Sequence, residues 1–173
     1  TDIKSFKDLE GKTVAAPFGS TTHYLLLQAL ADEGIDPSSM TILDLRPNDI
    51  AAAWARGDLD AAWFWEPNLD KAVKRGGNIF MTSGIMEKRG YPTWDVGVVM
   101  KKFAKQYPEY VEKFVKAECA GIDFWINNPA ETAKIIAKEL SLDLEDATRM
   151  MKGTEMVPVS YTHLTLPTKR GVG

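Results

Sequence analysis

Apolar positions follow two different periods along the chain. Residues 13–18 form a short apolar run around Val14, Ala15 and Ala16, which predicts a strand. After Gly19-Ser20-Thr21-Thr22 the spacing changes. Leu26, Leu27, Leu30 and Ala31 recur at threes and fours, predicting a helix over 23–33 that Gly34 stops. Residues 41–45 predict a second strand. A helix over 50–56 follows, with Asn48 or Asp49 as its cap and Gly57 at its end. Residues 61–65 predict a third strand, ended by Glu66-Pro67. A helix from about Asn68 to Arg75 stops at Gly76-Gly77, and residues 78–81 predict a further strand. Ahead of all this, residues 5–12 read as a short helical turn that closes at glycine.

Strand and helix alternating through short connections is the pattern of parallel βαβ units, so this region is α/β. Residues 94–100 predict one more apolar strand. Beyond it the chain turns helical. Val111, Phe114, Val115, Ile122 and Trp125 share one helical stripe, interrupted by Glu118; after Pro129 come Ala133, Ile136, Ala137 and Leu140. A weaker pattern follows over 144–151. The expected organisation is a compact α/β lobe over 11–94 and then a helical segment belonging to a different lobe.

Composition narrows the function. The chain has 173 residues, 45% hydrophobic and 26% charged, which excludes a disordered chain. Lys plus Arg (21) against Asp plus Glu (24) leaves a net charge of −3, without the basic stripe of a nucleic-acid binder. No apolar run approaches the ~20 residues of a membrane helix. The single cysteine, Cys119, has neither a disulfide partner nor zinc-cluster neighbours and reads as a core thiol. The chain opens on Thr1-Asp2-Ile3 with no initiator Met and no export signal, as the interior of a longer protein would. Residues 161–173 alternate Thr and Leu without helical period and resemble sequencing-adapter read-through. They are expected to be non-native, and His163 is set aside with them.

Three features carry candidate chemistry. Ser20, Thr21, Thr22 and His23 lie between a strand and a helix, where an open parallel sheet binds ligands. A helix N-terminus offers amide donors and a positive dipole end to an anion, and hydroxyls add donors without charge. An ordinary helix cap fits the same residues, and His23 fits a solvated side chain as well as a ligand contact. The Gly-Lys-Ser/Thr ending of a phosphate loop is missing. Trp65 and Glu66, at the end of the third predicted strand, pair an indole with a carboxylate. That combination suits an ammonium group, although a buried aromatic strand with a solvated acid fits too. Asp95, in Pro92-Thr93-Trp94-Asp95, offers an acceptor to a cationic group or caps a turn. Catalytic residues, metal ligands and cofactor motifs are not evident, so binding without chemistry is the economical reading.

Three segments, residues 11–24, 50–61 and 92–96, resemble the periplasmic taurine-binding proteins, the substrate-binding components of ABC importers for taurine and related sulfonates. The resemblance runs in register over about residues 1–157, and Ser20-Thr21-Thr22-His23-Tyr24 is its most specific element. It implies a type II periplasmic-binding-protein fold, of which this fragment holds one complete lobe and part of the other. Residues 1–10 would end the hinge or first lobe, 11–94 make the second lobe, and 95–160 supply a return strand and helices of the first. It further implies a sulfonate held by Ser20, Thr21, Thr22 and His23, an amine facing Asp95, and Trp65 with Glu66 lining the cleft. The expected protein is a periplasmic monomer that meets a membrane only through its ABC permease, binds no nucleic acid and needs no cofactor. The alternative readings of this chain are a thiamine-pyrimidine-synthase-like enzyme of the same superfamily, which would use a histidine and a cysteine-rich motif, and the ligand-sensing domain of a regulator.

Overall fold

The computed structural model describes residues 3–157. They divide into two compact units, one up to Asp95 and one from Val96 on. The expectation for residues 161–173 lies outside the described residues.

The first unit is built on three parallel strands in the order β2-β1-β3: β1 Thr13–Ala16, β2 Thr41–Asp44 and β3 Ala61–Ala62. β1 pairs with β2 from Thr13↔Thr41 to Ala16↔Asp44, and with β3 at Val14↔Ala61 and Ala15↔Ala62. Because side chains alternate along a strand, β1 feeds two cores. Val14 and Ala16 pack with Phe6, Leu9, Leu25, Leu26, Ala29, Leu30 and Met86, whereas Ala15 packs with Ile50, Ala53, Leu59, Phe64 and Ala72. Helix α1 (Thr21–Asp32) and α4 (Ser83–Lys88) therefore contribute to one core, and α2 (Pro47–Arg56) and α3 (Asn68–Val73) to the other. β1 is thus covered on both faces, as parallel sheets require.

A 3₁₀ turn, Phe6–Leu9, replaces the helical turn expected over 5–12. The Asp8 carboxylate accepts from the amides of Lys4 (3.0 Å) and Ser5 (2.9 Å) and from the Ser5 hydroxyl (2.9 Å). Those donors, the Lys4 amide foremost, hold its carboxyl below the ordinary value. α2 begins three residues earlier than its apolar pattern indicates. Pro47 occupies the first helical position, where its missing N–H costs nothing, and Asp49 falls in the first turn instead of at the cap.

Three strand expectations need correction. The third strand stops at Ala62, since its partner β1 runs into Pro17, which has no N–H to continue a ladder. Residues 78–81 form no strand; Phe80 instead packs edge-on against Phe6, with ring centroids 5.2 Å apart. Residues 94–100 form none either. Val96, Val98 and Met100 are 75%, 91% and 77% exposed, and without a neighbouring strand an apolar run has nothing to pair with.

The second unit contains α5 (Lys101–Gln106), α6 (Pro108–Asn127), α7 (Pro129–Leu140) and α8 (Leu144–Lys152). α7 ends on Ser141 in the left-handed conformation, and α7 and α8 pack through Ala133, Ala137, Ala147 and Met151. α6 carries the expected apolar stripe, yet none of its residues is buried, and Cys119 is half-buried on it.

Leu30 is fully buried, so Leu30→Ala should lower the unfolding free energy by about 2–5 kcal/mol, measured by urea denaturation. The depressed folded pKa of Asp8 means its contribution is present above the unfolded value and is lost as pH falls through the folded one. Asp8→Asn should therefore show a smaller drop in urea midpoint than the parent between about pH 5 and pH 3.

Candidate functional site

β1 points its carboxyl end at residues 17–24, where most backbone amides already have an acceptor. The Phe18 amide donates to Asp44 Oδ1 (2.8 Å), the Gly19 amide to His23 Nδ1 (3.4 Å) and the Ser20 amide to the Pro17 carbonyl (3.2 Å). The His23 amide donates to Ser20 Oγ (3.2 Å) and the Tyr24 amide to the Ser20 carbonyl (3.1 Å). The amides of Thr21 and Thr22 are the first two of α1, and a helix has no internal acceptor for them.

The hydroxyls sort in the same way. Ser20 is the N-cap of α1, its Oγ donating to the Pro17 carbonyl at 2.5 Å and lying 2.8 Å from Thr22 Oγ1. Ser20 has a single hydroxyl hydrogen, directed at Pro17, so Thr22 is the donor in that second contact. Thr22 is 5% exposed, and this bond satisfies its buried hydroxyl. The Thr21 side chain is exposed. The cap and the anion-site readings thus divide between residues: Ser20 caps, while the amides of Thr21 and Thr22 and the Thr21 hydroxyl remain as donors beside the positive end of the helix. Gly19 makes the turn possible with φ +75°, a left-handed conformation.

His23 lies against Phe18, their rings 4.2 Å apart and tilted by only 4°. Because Nδ1 accepts the Gly19 amide, the hydrogen of the neutral ring sits on Nε2, which leaves that nitrogen a donor.

β3 neighbours β1, so the chain leaving β3 emerges at the same sheet edge. Trp63 packs toward the α1 core and Phe64 toward the α2 core, while Trp65 is 46% exposed. Glu66 Oε2 accepts the Asp70 amide at 2.9 Å, tying the acid to the start of α3, and the buried Asp70 pairs with Lys74 at 2.9 Å. Asp95 lies in the irregular, exposed stretch that ends the first unit, and among the described residues no hydrogen bond joins it to the Ser20–His23 turn. The structure therefore brings Ser20, Thr22 and His23 into one bonded turn, sets Thr21 at its surface, places Trp65 and Glu66 after the adjacent strand, and leaves Asp95 apart in the bonding pattern. A small cavity of about 60 Å³ beside Trp54, Phe64 and Phe80 includes none of these residues. Sequence reasoning missed Asp44. Only its place at the end of a strand beside β1 signalled it, because its partner is 26 residues away.

A parallel sheet whose strand end leads into a hydroxyl-bearing turn and the first two amides of a helix is an arrangement that can accept an anion. Residues 1–132 match the family described as NMT1/THI5 like, and the chain belongs to that family. It is 38% identical over 179 aligned residues to the taurine-binding periplasmic protein of Escherichia coli, covering 98% of this chain and 55% of that protein. Its fold is that of the periplasmic aliphatic sulphonate binding protein SsuA from Escherichia coli (TM-score 0.72, 21% identity, 95% of this chain and 54% of that one). The alkanesulfonate-binding protein SsuA from Xanthomonas axonopodis pv. citri, solved bound to MOPS, superposes with a TM-score of 0.68 at 22% identity, covering 90% of this chain and 53% of that one. The fold class anticipated from the resemblance is therefore present, and the chain spans about half the length of these relatives.

Ser20→Ala should destabilise the chain by about 2–4 kcal/mol, through loss of the cap and of the partner of the buried Thr22 hydroxyl. Gly19→Ala should cost about 1 kcal/mol for its left-handed φ alone, because no atom lies within 4 Å of the added methyl. Urea denaturation of each variant checks both values.

Proposed function

We propose that this chain is the ligand-gripping part of a periplasmic solute-binding protein that holds taurine or a closely related small sulfonate and passes it, unaltered, to an ABC import permease. One observation carries the reading: at the end of β1, the Thr21 and Thr22 amides lack internal acceptors while every other amide from Phe18 to Tyr24 has one. A sulfonate presents three oxygens and one negative charge, which suits two amides, the Thr21 hydroxyl and the His23 Nε2–H. The kinship with a taurine-binding protein and with the solved sulfonate-binding folds supports the choice of sulfonate over other anions.

For taurine the positive end needs an acid. In this reading Asp95 takes the ammonium group, with the Trp65 face and Glu66 adding cation–π attraction and a second carboxylate. Glu66 contributes less directly, because one of its oxygens already holds the Asp70 amide. Capture at micromolar concentration corresponds to about −8 kcal/mol, a plausible sum for two charged ends bound away from water. No step of this reading needs a cofactor, a metal or a nucleophile, and the protein acts as a monomer.

The test is calorimetry on the intact protein that carries this chain. Taurine should bind, and at about 100 times its Kd should raise unfolding stability by about 2.7 kcal/mol, with sulfate and nitrate far weaker. Asp95→Asn should weaken taurine about 10- to 100-fold, the worth of a hydrogen bond to a charged group, while changing ethanesulfonate, which has no ammonium, less than about threefold. Equal losses for both ligands would remove Asp95 from the ammonium site. Failure of every sulfonate to stabilise the protein would end the functional reading.

A further inference from the structure

We propose that Asp44 is a positioning residue for the ligand-binding turn, setting the Phe18–His23 stack and through it the affinity for a sulfonate; this rests on the function proposed above. Asp44 is the last residue of β2 and stands in register with Ala16, the last residue of β1. Pro17 then interrupts the strand pairing. One residue further, the Asp44 side chain takes over as acceptor, receiving the Phe18 amide at 2.8 Å. Among the described residues, this bond ties residues 17–23 to a neighbouring strand.

Its consequences run through the turn. The Phe18 ring is 48% exposed, so core packing does not fix it. Its orientation follows from its anchored amide and from the His23 ring stacked on it at 4.2 Å. His23 in turn accepts the Gly19 amide, which sets the tautomer that presents Nε2–H. Removing the acceptor at Asp44 frees the Phe18 amide and loosens the plane of His23, while leaving the Thr21 and Thr22 amides in place on α1. Asp44 itself touches no ligand in this arrangement. It also engages an amide that would otherwise stand three residues before the helix as a competing donor. A carboxylate serves well here, because an ionised acceptor makes the stronger bond.

The experiment uses the intact protein that carries this chain, with Asp44→Ala, Asp44→Asn and an assignment variant, His23→Gln. Calorimetry should show Asp44→Ala weakening taurine at least about tenfold, whereas Asp44→Asn, which keeps a carbonyl acceptor, stays within about threefold of the parent. Proton–carbon spectra of the ligand-free proteins supply the second readout. The ring current of Phe18 should displace the His23 imidazole resonances in the parent and in Asp44→Asn, and the displacement should collapse in Asp44→Ala. Thermal melting confirms that each variant is folded. Affinity loss without the spectral change, the spectral change without affinity loss, or neither, overturns the role of Asp44 while leaving sulfonate binding intact. If the parent binds no sulfonate at all, the functional reading falls and this proposal with it, whatever the spectra show.

Discussion

Pro17 has no amide hydrogen, and the organisation of the site follows from that single absence. β1 is the middle strand, paired on both sides, and it would continue its ladders if the next residues could donate. At Pro17 they cannot. The Trp63 amide still reaches the Ala15 carbonyl at 2.9 Å, after which the backbone turns away. The Pro17 carbonyl accepts both the amide and the hydroxyl of Ser20, which closes the turn and delivers Ser20 to the cap of α1. Helix start, capping residue and the first-turn amides without internal acceptors are therefore all set by where the strand is forced to stop.

The cores on either side of β1 hold this arrangement still. Val14, Ala15 and Ala16 are each at most 1% exposed, and two of the three are alanine. Small side chains bring the helices on both faces close to the strand, so Leu26 and Leu30 from α1 and Ile50 from α2 pack tightly around it. Movement of α1 relative to the sheet would open a cavity among fully buried leucines, a cost of several kcal/mol. The direction of the α1 amides is rigid for that reason.

Elements whose signal is local were legible in the sequence. The period of Leu26 and Leu30, the glycine stops at Gly34 and Gly57, and the apolar stripe of α6 each depend on spacing alone, and each became the expected helix. Residues 78–81 and 94–100 were misread for the opposite reason. An apolar run becomes a strand only if another backbone lies alongside, and spacing carries no information about that neighbour. The short helix α4 was also missed, since six residues after a Thr82 cap give too few turns for a period to register. At the site, the residue types in the Ser20–His23 turn could be read directly. Which hydroxyl hydrogens remain available could not, because Ser20 gives its hydrogen to the Pro17 carbonyl and Thr22 gives its own to Ser20. Asp44 illustrates the limit most sharply, as its partner amide is distant in sequence and adjacent in the sheet.

The absence of lysine and arginine from residues 17–24, 63–66 and 92–95 bears on selectivity. A cation beside a sulfonate would bind it more strongly than neutral amides do. In taurine, however, the ammonium lies two carbons from the sulfur, within several ångströms of any such cation. Like charges about 4 Å apart repel by ~1 kcal/mol in water and by ~4 kcal/mol at a protein surface. A lysine would therefore return much of what it gained at one end of the ligand as repulsion at the other, and it would retain sulfate and nitrate as readily as a sulfonate. Helix amides carry only a partial positive charge, about half an elementary unit at the helix start, which falls off within the first turn. Neutral donors for the negative end and a separate acid for the positive one are the arrangement that favours a zwitterion over a simple anion. In the proposed site the uncharged turn and the acidic Asp95 would supply those two halves.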